Sequence, residues 1–182
     1  DDIKFIEDNL SNKKIVAIGE IGLDYHYSKE NKNEQIELFE LQLKLAEEYN
    51  MPVIIHSREA MEDTINILKK YNVKGVIHSF SGSLEIAKIY IKMGYLLGIN
   101  GVVTFKNCNL KDTLKEIPID NIVLETDSPY LTPVPYRGSQ NNPSHILDIA
   151  KFIGEVYGIN VDEVMRITTE NVKKLYNKLT IE

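Results

Sequence analysis

The chain has 182 residues, 43% of them hydrophobic, which suits a single compact domain over 1–182 and excludes a disordered or fibrous segment. Its formal net charge of -6 argues against a surface that coats nucleic acid through a general basic field, while leaving room for a local site where bound cations supply positive charge. The single cysteine, Cys108, cannot form an internal disulfide and no apolar run reaches membrane-spanning length, so a cytoplasmic protein with neither membrane partner nor secretory leader is expected.

The opening DDIKFIEDNL reads as the tail of a helix, and without an initiating methionine the chain reads as starting mid-protein. Short apolar runs then alternate with segments of helical period. IVAIGE (15–20) is followed by EQIELFELQLKLAEEY, whose Ile36, Leu38, Phe39, Leu43, Leu45, Ala46 and Tyr49 form a broad apolar face. PVIIH (52–56) precedes the helical REAMEDTINILKKY, and KGVIH (74–78) precedes SLEIAKIYIKMG, with Gly94 as its stop. YLLGIN (95–100) leads to a short helix around NLKDTLKEI, and NIVLETD (121–127) is the last run. Runs this continuous in Val, Ile and Leu are those of strands buried on both faces of a parallel sheet. SPYLTPVPYRGSQNNP (128–143) carries four prolines and a glycine, so a long loop is expected there. Two helices close the chain: PSHILDIAKFIGEVYG, started by Pro143 and Ser144 and stopped by Gly158, and NVDEVMRITTENVKKLYNKL.

Parallel strands alternating with helices leave an open doubly wound sheet or an eight-fold barrel. The first strand-to-helix turn lacks G-x-G-x-x-G, since Gly19 and Gly22 flank acidic residues that would repel a phosphate. Polar residues instead end the strands: Glu20, His56, His78, Asn100 and Asp127. That is where a TIM-type barrel builds its active site. Five βα units cannot close an eight-strand ring, so an incomplete barrel portion is expected.

Side chains alternate along a strand, which puts Ile54 with His56, Val76 with His78 and Ile18 with Glu20 on shared faces. If those faces point inward, the polar tips converge, because neighbouring strands lie ~4.8 Å apart. Two imidazoles and two carboxylates without a thiolate suit Zn, Mn, Fe, Ni or a Mg-like ion. A lone strand-end histidine is more often a hydrogen-bonded structural residue; two in matching positions, flanked by carboxylates, favour a metal. Glu125 shares strand parity with Asp127 and reads equally as an orienting carboxylate or a structural one. Asp24 reads as a hydrogen-bonding turn residue, and His26 as a substrate contact or a loop cap. Arg58 and Arg137 are candidate phosphate contacts, since guanidinium forks match phosphate oxygens.

AIGEIGLDYH (17–26), PVIIHSREA, GVIHSFSG, GINGVVTFKN, LETDSPYLTP and RGSQNNP together resemble the TatD family of metal-dependent deoxyribonucleases, in the amidohydrolase-like superfamily, from about Ile15 onward. The resemblance implies a distorted TIM barrel with a two-metal centre (Mg, Mn or Zn) that hydrolyses DNA phosphodiesters, single-stranded or from 3′ ends. Glu20 would bridge both ions, His56 and His78 would hold one, and Asp127 would hold the other and accept a proton. Glu20 and Asp127 are then the catalytic pair; His26, Arg58 and Arg137 are the substrate-binding residues. The family pattern also uses a His-x-His pair on its first strand, which this chain lacks; its first three strands would precede Ile15. One metal site is therefore expected in this chain against two in the intact protein, with an open edge on the first strand. An ester hydrolase of the D-aminoacyl-tRNA deacylase kind, or a catalytically silent scaffold, stands as the alternative, since one barrel supports several chemistries. No obligate protein partner is implied.

Overall fold

The structure, a computed structural model, describes residues 2–27 and 30–179. It divides into two compact units, Asp1–His78 with Lys173–Glu182, and Ser79–Val172. Asp1, with which the expected first helix begins, lies outside the described residues.

The first unit contains α1 (Asp2–Asn9), β1 (Ile18–Asp24), α2 (Lys32–Glu48), β2 (Val53–Arg58), α3 (Met61–Leu68) and β3 (Gly75–Ile77). Its strands are parallel and adjacent in chain order. In β2, Val53 and Ile55 are buried while Ile54 and His56 are half-buried, so period-two alternation separates a helix-covered face from the face that carries the histidine. Helix α2 buries Phe39, Leu43, Leu45 and Ala46. The spacing of 39, 43 and 46 makes one stripe. That stripe is narrower than the expected face, for Leu38 and Tyr49 are exposed. Tyr49 instead donates from its hydroxyl to Glu7 of α1 at 3.0 Å.

The first strand departs from simple alternation. Ile18 pairs with Val53 but Ile21 with Ile55, so three steps on β1 match two on β2. This is a bulge, and it overturns the expectation that Ile18 and Glu20 share a face: Ile18 is buried and Glu20 exposed. Bulges bend a strand and re-aim a side chain, commonly beside active sites. The strand also continues past Glu20 to Asp24.

The second unit contains α4 (Leu84–Lys92), β4 (Leu96–Ile99), α5 (Leu110–Lys115), β5 (Ile122–Leu124), α6 (Ile146–Tyr157) and α7 (Val161–Leu175) up to Val172. Strands β4 and β5 are parallel, Leu97 opposite Ile122 and Ile99 opposite Leu124. Tyr90, Tyr95, Leu97, Ile99, Leu114, Ile122 and Ile149 are its largest fully buried side chains. Gly94 and Gly158 follow α4 and α6 with positive φ, as expected of helix stops. The last strand ends at Leu124 rather than at Asp127; the Glu125 N–H still donates to the Ile99 carbonyl at 3.0 Å, after which the chain leaves the ladder for the proline-rich loop. Asn171 of α7, 3% exposed, donates from Nδ2 to the carbonyls of Ile119 and Ile122 at 3.1 and 2.9 Å, satisfying backbone acceptors at the entry to β5. Among the described residues no helix is long and apolar enough to cross a membrane.

Candidate metal centre

In the first unit the end of β2, the turn after β3 and the bulge of β1 bring His56, His78 and Glu20 together. Glu20 presents a different carboxylate oxygen to each ring: Oε2 lies 3.7 Å from His56 Nδ1 and Oε1 lies 3.8 Å from His78 Nε2. Both separations exceed hydrogen-bonding range. The two rings lie 6.4 Å apart between centroids, with 27° between their planes. Donors bonded at ~2.0–2.1 Å to a tetrahedral ion stand ~3.3 Å from one another, so the carboxylate-to-imidazole gaps are slightly wider than a ligand shell. Among the described residues no group of three or more His, Cys, Asp or Glu is closed on a common centre. The donor set nonetheless fits a divalent ion in kind: two imidazoles and an exposed carboxylate with both oxygens directed at them.

Asp24 governs which nitrogen of His56 is available. Its Oδ2 lies 3.0 Å from His56 Nε2, and its Oδ1 accepts the His26 N–H at 2.9 Å. Burial alone would push the Asp24 carboxyl up, but the His26 N–H, the hydrogen bond and charge of His56 and the charge of Arg58 outweigh it and hold the group below its ordinary value. An ionised Asp24 can only accept. The His56 nitrogen that faces Asp24, Nε2, therefore carries a proton, and Nδ1 is the nitrogen on the Glu20 side, the carboxylate–histidine arrangement that orients metal-binding imidazoles. Asp24 is itself fixed by Gln35 of α2, which donates from Nε2 to its carbonyl at 2.9 Å and accepts its N–H at 2.8 Å. Asp24→Asn is expected to weaken Mn²⁺ binding ~10–100-fold, the usual cost of losing such a partner; isothermal titration calorimetry measures it, and unchanged affinity would show that the carboxylate plays no part.

His26 lies just beyond the end of β1, and Arg58 is the last residue of β2. His26 Nδ1 pairs with Glu59 Oε1 at 2.7 Å, and the Arg58 guanidinium lies 5.3 Å from the centroid of the exposed Tyr27 ring.

In the second unit Asp127 and Glu125 follow β5. Asp127 has φ 57° and its carbonyl accepts the Tyr130 N–H at 2.9 Å. Glu125 Oε1 accepts the Ser79 N–H at 2.6 Å, and a Cβ at Gly98 would stand 2.6 Å from Oε2, so only glycine at 98 leaves room for the carboxylate. Asn100 donates to Ser79 Oγ at 2.7 Å and accepts from the Val102 N–H at 3.1 Å. Ser79, with φ 49°, directly follows His78 and is thus held at both its amide and its hydroxyl. Arg137 lies 3.8 Å over the Phe105 ring and donates to the Thr132 carbonyl at 3.3 Å. Sequence reasoning missed Asp24, Gln35 and Gly98 as parts of these arrangements. The position of Asp24 two residues before His26 was visible, but its partner across the sheet was not.

The family model for TatD-related DNases matches residues 1–177. A metal-dependent hydrolase of Bacillus subtilis, YabD, is 45% identical over 180 residues, covering 97% of this chain and 71% of the relative. Another from Escherichia coli K12, YcfH, is 37% identical over 180 residues, covering 97% and 68%. The crystal structure of the E. coli TatD homologue YJJV matches with a TM-score of 0.88 at 30% identity, over 96% of this chain and 70% of that one. The organophosphorus hydrolase of Deinococcus radiodurans matches with a TM-score of 0.64 at 14% identity, over 96% and 62%, which speaks to the fold alone. The five parallel strands with their helices are accordingly a portion of a TIM-type α/β barrel, and the chain belongs to the TatD-related DNase family of metal-dependent hydrolases.

Proposed function

We propose that this chain acts in the cytoplasm as one hydrolase domain that cleaves DNA phosphodiesters, on single strands or at 3′ ends, without an obligate protein partner. Glu20, His56 and His78 would hold one divalent ion, Mg, Mn or Zn, and Asp127 is assigned to a second by the family resemblance. The observation that carries the reading is Glu20's presentation of one oxygen to each histidine, 3.7 and 3.8 Å away, in a member of this family. A divalent ion there supplies Lewis-acid stabilisation of charge on a phosphoryl oxygen and makes water nucleophilic at neutral pH. The protein's own residues do the rest. Asp24 keeps His56 in one tautomer, Asp127 takes the proton released by the attacking water, and Arg58, His26 and Arg137 contact the substrate, guanidinium forks being matched to phosphate oxygens.

The test follows an end-labelled single-stranded oligonucleotide with Mg²⁺ or Mn²⁺, then with excess chelator, beside a D-aminoacyl-tRNA ester. Shortening that stops on chelation and returns with Mn²⁺ is expected. Cleavage that persists in excess chelator, or turnover of the ester alone, refutes the nuclease reading; a chain that binds Mn²⁺ and turns over neither is a silent scaffold.

A further inference from the structure

The long loop of the second unit is organised around one buried amide. Asn141 is 3% exposed, and its Nδ2 donates to the carbonyls of Thr126 and Tyr130 at 2.7 and 2.5 Å. Its backbone N–H donates to the Pro129 carbonyl at 3.0 Å. These contacts grip the chain on both sides of Asp127. The orientation of the amide is forced, since a side-chain oxygen facing two carbonyls would meet only acceptors, and Oδ1 receives the Asn142 N–H at 2.9 Å.

That orientation also settles the histidine behind it. His145 Nδ1 lies 2.8 Å from Asn141 Oδ1, so Nδ1 must donate. Its Nε2 then accepts from Asn142 Nδ2 at 3.2 Å. The imidazole lies flat against Tyr136, with 4.7 Å between centroids and 7° between planes. The segment held in this way has left-handed backbone at Asp127 and Leu131, with φ 57° and 54°. Non-glycine residues keep that conformation only where their surroundings over-determine it. The strand ladder does not reach Asp127, because the Glu125 N–H donating to the Ile99 carbonyl at 3.0 Å stands two residues short of it.

We propose that Asn141, locked by His145, is a positioning residue for Asp127: its amide replaces the missing strand ladder and fixes the direction in which the carboxylate leaves the backbone. The catalytic consequence rests on the role proposed for Asp127, whereas the clamp itself does not. The RGSQNNP segment then serves the site from within, through Asn141, as well as through any contact made by Arg137.

Amide hydrogen exchange on the peptide covering 126–131, in the full chain, tests the clamp directly. Asn141→Asp puts a carboxylate against two carbonyls, and exchange at Tyr130, whose N–H donates to Asp127, is expected to quicken at least tenfold while α6 stays protected. His145→Phe keeps the stack on Tyr136 but removes the donor that locks the amide; a smaller increase in the same peptide is expected, and this variant carries the test if Asn141→Asp does not fold. Unchanged exchange in the variants overturns the clamp. Titration with Mn²⁺ separates this from the function: weaker binding by Asn141→Asp, with kcat reduced and KM retained on the oligonucleotide, supports the link to Asp127. Wild-type affinity despite faster exchange breaks that link. If the wild-type chain binds no Mn²⁺, the functional reading falls while the exchange result still decides the clamp.

Discussion

Glu20→Ala is expected to lower the affinity for Mn²⁺ by more than ~100-fold and to abolish measurable DNA cleavage with little loss of stability. The size follows from a comparison: removing a residue that merely orients a metal ligand already costs ~10–100-fold, and Glu20 supplies both oxygens that face the imidazoles. Without it, two neutral rings would be left to hold a dication with no compensating negative charge between them. His56→Ala and His78→Ala each remove one of those rings and should also lose affinity. Stability supplies the control. The Glu20 side chain is 48% exposed, and substitutions at such positions away from special features usually fall within ~0.5 kcal/mol of the parent. Titration calorimetry for the metal and urea denaturation for the fold separate the two effects. A Glu20→Ala protein with wild-type Mn²⁺ affinity would end the proposal that this carboxylate is a ligand, whatever its activity.

The histidines were legible because β2 obeys the period of two. Ile54 and His56 share a half-buried face opposite buried Val53 and Ile55, so an apolar run that stops at an imidazole marks the C-terminal half of a strand, which here runs on to Arg58. Glu20 was legible in type but not in placement. Counting from Ile18 gives the wrong face, since an inserted residue in β1 is invisible to alternation and appears only once the partner register is known. Asp24 was hidden for the same reason. Its acceptor role depends on His56, 32 residues away, and on Gln35, whose amide pairs with its backbone; local turn chemistry accounts for the His26 contact alone. Asn141 lay beyond reach altogether, because the loop from 128 has no periodicity from which facing residues could be read. Local rules name strands, helix stops and the chemical character of strand ends, while hydrogen bonds between distant segments decide which polar residue holds which.

Gly22→Ala is the second large effect, expected to destabilise the protein by about 2–6 kcal/mol, as overpacking and a disallowed backbone each cost about 1–3 kcal/mol. Gly22 has φ 146°, and a Cβ there would collide with the carbonyl oxygen of His56. The two residues are direct partners in the β1–β2 register, so the clash cannot be relieved by a rotamer change. Relief requires β1 to move off β2, or Gly22 to take a backbone conformation that carries Glu20 and Asp24 with it. Both movements disturb the centre: the first separates Asp24 from His56 Nε2, the second redirects the bulge that aims Glu20. For a chain of this size about 1 kcal/mol corresponds to roughly 2–4 °C in Tm, so a fall of at least about 4 °C should accompany weaker Mn²⁺ binding. Gly158 offers a contrast, since its φ of 70° is also left-handed but a Cβ there meets nothing within 4 Å, so a substitution there carries the backbone cost without the collision. If Gly22→Ala shifts the unfolding midpoint no more than Gly158→Ala does, close approach of the two strands is not what places Glu20 and Asp24 around His56.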